Sequence, residues 1–339
     1  MHRKSGKWSS LGAALLAFGA LLASPSAVSA ADFNLRFASY APEGDVIDRA
    51  LQKFKEELET RSEGRIELTV FRNNTLGSNR EALELAKVGA VDFVVSGSSH
   101  VSRFAPILGA VSFPFLWKDR EVMFKVLDGE IGKRLNKAAE AEAQGLLFLT
   151  WFDTGFRHLS NSLRPVMKPE DVKGLKLRTL PTPVQVAFWR KLGAIPTPMD
   201  WAEVMPALQQ GVIDGQENAP SVMYPYKVYE VQKYYSLTGH SNEPTLIVMS
   251  KATFDGLPSD LQGVVSESIK TVTPYERDIA EEYNVGIMGE LSKVIEINEV
   301  PEETKAHFRA VGAEIYAEGY ASIGPEGEAI VTEIVKTTH

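Results

Sequence analysis

The sequence predicts an α/β protein of two lobes, each assembled from discontinuous stretches of chain and joined by a hinge. Strand-like and helix-like patterns alternate over residues 33–95, which is typical of a sheet with helical crossovers. An apolar strand pattern at 245–250 stands apart from the strands before it, so the chain is expected to return to the first sheet. A helical pattern of 33 residues, 259–291, is long enough to span both lobes.

The first lobe begins with five alternating elements. Alternating or continuous apolar residues predict three strands, and apolar residues at helical spacing predict the two helices between them. The strands are expected at 33–39, 66–71 and 91–95, and the helices at 46–58 and 80–88. This order predicts a parallel sheet.

A second series of elements follows a predicted helix at 119–142. Strands are expected at 146–151, 175–178 and 212–216, and helices at 182–192 and 201–210. We place the break between the lobes near residues 153–155. Lobe I is then expected to comprise residues 31–153 and about 243–275, and lobe II residues 154–242 and about 276–339.

The predicted long helix begins after Pro258, a residue that suits a helix start, and ends at Leu291. At a rise of ~1.5 Å per residue it would extend ~50 Å. Pro274 lies inside the pattern and predicts a bend there.

The first thirty residues carry the pattern of a secretory signal peptide. A basic start is followed by an apolar stretch and by the small residues Val28, Ser29 and Ala30 before the expected cleavage site. Cleavage would leave 33 basic and 44 acidic residues, a net charge of −11, which argues against nucleic-acid binding. The chain has no cysteine, which excludes disulfides and thiolate chemistry. We therefore expect a bacterial periplasmic protein.

Two arginines and an asparagine are the strongest candidates for a binding site. Arg178 ends a predicted strand just before a predicted helix, where open α/β sheets bind their ligands. Arg157 follows the predicted lobe break, and Asn218 follows the strand predicted to end at Gln216. Converging from three loops, these side chains would bind a carboxylate, because a guanidinium matches its two oxygens.

Other residues give weaker indications of function. Trp201 would either cover a ligand or fill the core. Asp214 and Glu217 raise the alternative of a glycosidase, although such carboxyl pairs usually come from different strands. No HExxH, GxSxG, GxGxxG or phosphate-loop motif is present, so we expect neither an enzyme nor a nucleotide cofactor.

Several longer stretches together resemble a known family. These are GLKLRT, GAIPTPMDWAEVMPALQQG and VIDGQEN, supported by LRFAS, EGRIELTVF, TLGSNREALELAKVGAVDF, FPFLW and GFRHLSNS. The chain resembles the DctP-type solute-binding proteins of tripartite ATP-independent periplasmic (TRAP) transporters over nearly its whole mature length. The resemblance implies the two-lobed periplasmic binding protein fold.

The resemblance also implies roles for individual residues. Arg178 would make the principal two-pronged salt bridge to a ligand carboxylate, assisted by Arg157 and Asn218, with Trp201 packed against the ligand. The distal part of the ligand would be contacted by a further set of polar residues: Tyr40, Asn79, Ser98, Ser99, His100 and Glu243.

Positions at which this chain differs from other branches of the family indicate the class of its ligand. Sialic-acid binders have a carboxylate where this chain has Gly97, which argues against sialic acid. Cation-dependent binders of 2-oxo acids have a Trp where it has Asn218, so the resemblance implies no metal. The distal hydroxyl partners favour a sugar acid, either a uronate or an aldonate. A C4-dicarboxylate or another monocarboxylate is the alternative. The implied partners are the small and large membrane subunits of the transporter, with the binding protein itself a monomer, and a periplasmic ligand sensor is the other possible function.

Overall fold

The computed structural model describes residues 1–2 and 31–338, so the predicted signal peptide lies outside the described residues except for its first two. The described chain forms two β-sheets with helices packed around them. In chain order the strands are β1 (Phe33–Ala38), β2 (Ile66–Phe71), β3 (Phe93–Gly97), β4 (Leu146–Phe152), β5 (Phe156–Asn161), β6 (Lys176–Thr179), β7 (Ile195–Pro198), β8 (Gly215–Asn218), β9 (Tyr234–Asn242), β10 (Thr245–Ser250) and β11 (Glu296–Glu299).

The first sheet has the strand order β2-β1-β3-β10-β4. β1 runs parallel to both β2 and β3, which confirms the predicted crossovers at the start of the chain. β10 returns to this sheet as expected, but it lies between β3 and β4 and is antiparallel to both. The sheet is therefore mixed rather than wholly parallel, because the returning chain enters from the end opposite to that of the crossover strands.

The second sheet has the order β11-β9-β5-β8-β6-β7. The sequence patterns did not predict β5, β7, β9 and β11, since β7 contains two prolines and the other three are rich in polar residues. The strand expected at 212–216 lies instead at Gly215–Asn218. Gly211 turns the chain with φ 68°, and Val212 is 55% exposed, so the strand begins after them.

Each stretch where the sequence patterns predict a helix is helical, but further helices lie where none was predicted, among them 302–314 and 316–338. In chain order the helices are α1 (Val46–Arg61), α2 (Asn79–Lys87), α3 (Ser98–Val101), α4 (Arg120–Leu127), α5 (Glu130–Ala143), α6 (Pro183–Lys191), α7 (Trp201–Gln209), α8 (Pro220–Met223), α9 (Lys251–Gly256), α10 (Ser259–Leu291), α11 (Glu302–Glu314) and α12 (Tyr316–Thr338).

The single helix predicted at 119–142 is wrong, because the chain breaks between α4 and α5. The two helices meet at a tight corner. A Cβ atom on Gly132 would lie only 1.8 Å from the carbonyl oxygen of Leu127, so only glycine fits against the end of α4.

The long helix α10 has the predicted bounds and continues through Pro274. Near its start, Leu261, Val265 and Val272 pack into the core beneath the first sheet. Near its end, Ile287 and Leu291 pack with Trp201 and Tyr235 of the second half. The helix therefore contacts both halves of the molecule.

The chain crosses between the sheets after β4, after β9 and along α10. Three segments of chain therefore connect the two halves, as a hinge between them requires. The lobe boundaries at 153, 243 and 275 stay a prediction. The last helix, α12, packs on residues 106–112 and on α5 of the first half as well as on α6 of the second. It has a break at Gly324, whose φ is 73°.

Candidate binding site between the two sheets

A cavity lies between the two halves and encloses about 460 Å³ of space not filled by protein atoms, part of it open to solvent. Its walls come from both sheets and from the connections that join them. The lining residues are Tyr40, Asn79, Gly97, His100, Thr154, Arg157, Arg178, Leu180, Trp201, Asn218, Val222, Glu243 and Thr245.

The structure brings together eight of the ten residues that the sequence singles out, since only Ser98 and Ser99 are absent from the cavity wall. Both serine hydroxyl groups are buried and make no hydrogen bond with the described residues. Their place at the start of α3 brings the Ser99 backbone N–H, rather than its side chain, against Glu243.

Arg178 is the one arginine of the cavity wall that lacks a carboxylate partner among the described residues. It lies on β6 and is 1% exposed. Its Nε and Nη2 atoms donate to the carbonyl oxygen of Met199, at 3.1 and 2.9 Å, while Nη1 makes no hydrogen bond with the described residues. Burial lowers the pKa of Arg178 to about 10. The cavity thus contains a buried cation without a counter-ion.

Arg157 lies on β5, not on a loop, and is already paired. Its Nε donates to Oε2 of Glu217 at 2.5 Å, and its Nη2 donates to Oε1 at 3.0 Å and to the Glu217 carbonyl oxygen. Its Nη1 donates to Oδ1 of Asn218 at 2.8 Å. The pairing follows from strand register, since β5 and β8 are antiparallel neighbours with Leu159 opposite Glu217.

Glu217 is fully buried and holds this cluster together. His240 places Nε2 3.2 Å from Oε2 of Glu217, and Thr238 hydrogen-bonds Nδ1 of the same ring at 2.8 Å. Burial alone would raise the pKa of the Glu217 carboxyl, but Arg157 and His240 outweigh it and lower the pKa to about 2. The Arg157 guanidinium is therefore largely neutralised by its own protein.

Asn218 is the last residue of β8 rather than a loop residue. Its Oδ1 accepts from Arg157, whereas its Nδ2 makes no hydrogen bond with the described residues. Asp214 does not join it in the cavity, because its carboxylate accepts the backbone N–H of Lys176 at 2.9 Å. Asp214 and Glu217 therefore do not form the carboxyl pair that a glycosidase requires.

Trp201 lies where the cavity wall meets the core of the second half. The Trp201 ring lines the cavity, with its centroid 5.9 Å from Cζ of Arg178. It also packs edge-on against Tyr226 in the core of the second half. Its helix, α7, begins just after Asp200, whose backbone N–H donates to Glu203.

A contact between the two halves lies beside the cavity. Nδ1 of His100, on α3, is 3.2 Å from Oδ1 of Asp200, and Nη2 of Arg103 is 3.9 Å from the same oxygen. His100, followed by Arg103, lowers the pKa of the Asp200 carboxyl. Sequence patterns did not indicate this contact, because its partners are about one hundred residues apart.

Two kinds of feature are absent from the described residues. These residues contain no group of three or more His, Cys, Asp or Glu side chains placed to hold a metal ion. Within the same residues, no helix combines the length and the apolar character that a membrane crossing needs.

Comparisons with known proteins agree with this architecture. Residues 37–323 match the family model DctP, described as bacterial extracellular solute-binding protein, family 7. The 2,3-diketo-L-gulonate-binding periplasmic protein YiaO of Escherichia coli is 36% identical over 265 residues, which is 78% of this chain and 80% of that protein.

Solved structures of the same type superpose closely. The sugar acid binding protein DctPAm of Advenella mimigardefordensis, in complex with galactonate, has a TM-score of 0.87 and 27% identity, covering 92% of this chain and all of that one. A TRAP periplasmic solute-binding protein of Sulfurospirillum deleyianum with bound succinate has a TM-score of 0.84 and 29% identity, covering 91% and 100%.

Proposed function

The chain belongs to the DctP family, bacterial extracellular solute-binding protein family 7, and on that basis we propose that it captures a sugar acid in the periplasm for a TRAP transporter. The ligand is a uronate or an aldonate. The protein delivers it to the small and large membrane subunits, and a gradient of ions rather than ATP supplies the energy, as the family implies. It acts as a monomer without a cofactor.

Arg178 is the observation that carries this proposal. Burying a guanidinium without a counter-ion is costly, and a ligand carboxylate would supply the missing charge. Nη1 and the second N–H of Nη2 remain available to donate to its two oxygens. Each charge-assisted hydrogen bond contributes roughly 1.5 to 3 kcal/mol. The free Nδ2 of Asn218 provides a second donor, and Arg157 stiffens this wall by holding Asn218 in place.

The rest of the cavity wall favours a hydroxylated ligand. Tyr40, Asn79, His100, Thr154, Glu243 and Thr245 present polar groups, whereas the cations on the described wall are Arg178 and the already paired Arg157. One carboxylate and several hydroxyl groups match this distribution better than two carboxylates do. The galactonate complex of DctPAm and the binding of 2,3-diketo-L-gulonate by YiaO support the same class.

A ligand in this cavity would hold the two halves together. It would touch Arg178 and Asn218 in the second sheet and polar groups of the first, so it would stabilise the closed arrangement by its higher affinity for that state. The contact of His100 and Arg103 with Asp200 would add to closure.

Replacing Asp200 with Asn is expected to weaken ligand binding about fivefold while leaving the fold intact. Asn keeps the shape and suits the start of α7, but it removes the charge that faces His100 and Arg103, which is worth about 1 kcal/mol. Titration calorimetry measures the affinity, and small-angle scattering of the unliganded variant measures closure. An affinity equal to that of the unmodified protein would contradict a role for this contact.

A thermal-shift screen tests the proposed function directly. Uronates, aldonates, C4-dicarboxylates and 2-oxo acids are added separately, since a ligand that binds only the folded state raises the melting temperature. We expect the largest shifts from uronates or aldonates and no conversion of these acids to products. Stabilisation by succinate alone would favour the C4-dicarboxylate alternative. Uptake by cells that carry both membrane subunits would separate transport from sensing.

A further inference from the structure

Glu243 places a fixed carboxylate in the cavity. It lies in the two-residue connection between β9 and β10 and is only 3% exposed. Oε1 accepts the backbone N–H of Ser99 at 2.7 Å, and the Glu243 carbonyl oxygen accepts the Thr154 hydroxyl at 2.9 Å. Both the side chain and the main chain of Glu243 are therefore anchored before any ligand binds.

The space for this carboxylate depends on Gly97. A Cβ atom on Gly97 would lie 3.2 Å from Oε1 of Glu243 and 3.6 Å from its Cδ. A larger residue at position 97 would therefore press on the side chain and shift it. Because Gly97 has no side chain, the Glu243 carboxylate has room at this point of the cavity wall.

The second oxygen of this carboxylate has no hydrogen-bond partner among the described residues. The nearest cation is Arg157, whose Nη1 is 4.0 Å from Oε2, beyond hydrogen-bond distance. Nε, Nη1 and Nη2 of that guanidinium already donate to Glu217 and Asn218. Oε2 is therefore a free acceptor on the cavity wall.

We propose that Glu243 determines specificity by accepting a ligand hydroxyl on Oε2 and by repelling a second carboxylate. This inference rests on the proposed function, in which Arg178 binds the acid group. A hydroxyl donating to a carboxylate forms one of the stronger hydrogen bonds in proteins, and it selects for a hydroxylated ligand. A dicarboxylate such as succinate has no hydroxyl to donate and would place its second negative charge in the same cavity as Glu243.

Glu243→Gln tests this role. Glutamine preserves the shape, and its carbonyl oxygen can keep the contact with Ser99, but the free acceptor becomes an NH₂ donor and the charge is lost. Titration calorimetry with galactonate and succinate is expected to show at least tenfold weaker galactonate binding. Succinate binding should be unchanged or tighter, so that the ratio of the two affinities changes more than tenfold.

Two further variants complete the experiment. Glu243→Asp keeps the negative charge on a shorter side chain, so it should weaken galactonate binding while still rejecting succinate. Glu318→Gln, on an exposed part of α12, is the matched control and should change neither affinity. Thermal unfolding without ligand establishes that each variant is folded.

The possible outcomes separate this inference from the proposed function. An unchanged affinity ratio in Glu243→Gln, or an equal loss for both acids, would overturn the specificity role, because a merely structural residue affects both ligands alike. Equal affinity of the unmodified protein for galactonate and succinate would also overturn it. If the unmodified protein bound neither acid nor any other organic acid, the proposed function itself would fail.

Discussion

Arg178→Ala is expected to abolish sugar-acid binding, with the dissociation constant rising at least a hundredfold. Two charge-assisted hydrogen bonds to one carboxylate contribute roughly 3 to 6 kcal/mol, which corresponds to a factor of about one hundred or more. No other described guanidinium of the cavity wall can replace Arg178, because Arg157 is held by Glu217 and Asn218. Titration calorimetry with galactonate measures the loss.

The same substitution should not unfold the protein. The lowered pKa of Arg178 means that burial opposes its charged form, so removing the charge relieves a cost while truncation leaves a cavity. These effects oppose each other, and we expect the melting temperature without ligand to change little. Arg178→Lys should also lose most of the affinity, since an ammonium cannot reproduce the two-pronged geometry.

Arg190→Ala provides a matched control on the surface of the same half, where the side chain is exposed. It should leave both affinity and stability unchanged. Retention of full affinity by Arg178→Ala would show that the carboxylate binds elsewhere and would remove the main support for the proposed site.

Glu217→Gln is expected to destabilise the folded protein more than Arg178→Ala or Asp200→Asn does. It leaves the buried Arg157 guanidinium without its carboxylate, and breaking a buried ion pair in this way costs about 3 to 5 kcal/mol. The melting temperature should fall by about 5 to 8 °C. Calorimetric unfolding without ligand measures the effect.

The control for Glu217→Gln is Glu57→Gln, which breaks the ion pairs of Glu57 with Lys53 and Arg61 on the surface of α1. Arg61 is 40% exposed, and such pairs are worth about 0 to 1 kcal/mol. A comparably small effect of Glu217→Gln would mean that the buried cluster is not a major source of stability.

The stability contributed by Glu217 should depend on pH in a defined direction. The pKa of Glu217 falls from its ordinary value of 4.5 to about 2 in the folded protein, so its stabilisation is fully present above pH 4.5. It is lost as pH decreases through this interval towards 2. The difference in stability between the unmodified protein and Glu217→Gln should therefore shrink on acidification, and a difference that grows would contradict the ion pair as its origin.

Local sequence patterns predicted the bounds of an element correctly where its apolar residues recur regularly along the chain. The bounds of α10 and β2 agree with the predicted ones, because helical spacing and strand alternation are properties of neighbouring residues. The polar strands β5 and β9 gave no such signal. Their stability comes from pairing with strands that lie far away in the sequence.

The sequence by itself determined the family, the two-lobed α/β class and the position of Arg178 at the end of a strand. The family resemblance gave Arg178 the principal role and Arg157 an assisting one, but both were expected to bind the carboxylate. Only the tertiary structure decided which of the two guanidinium groups is already paired within the protein. The register of β5 against β8 brings Glu217 onto Arg157, whereas β6 brings no carboxylate to Arg178 from the described residues. Whether a buried guanidinium stays available for a ligand depends on which side chains face it from neighbouring strands. Arg157 and Glu217 are sixty residues apart, and no local sequence pattern encodes their pairing.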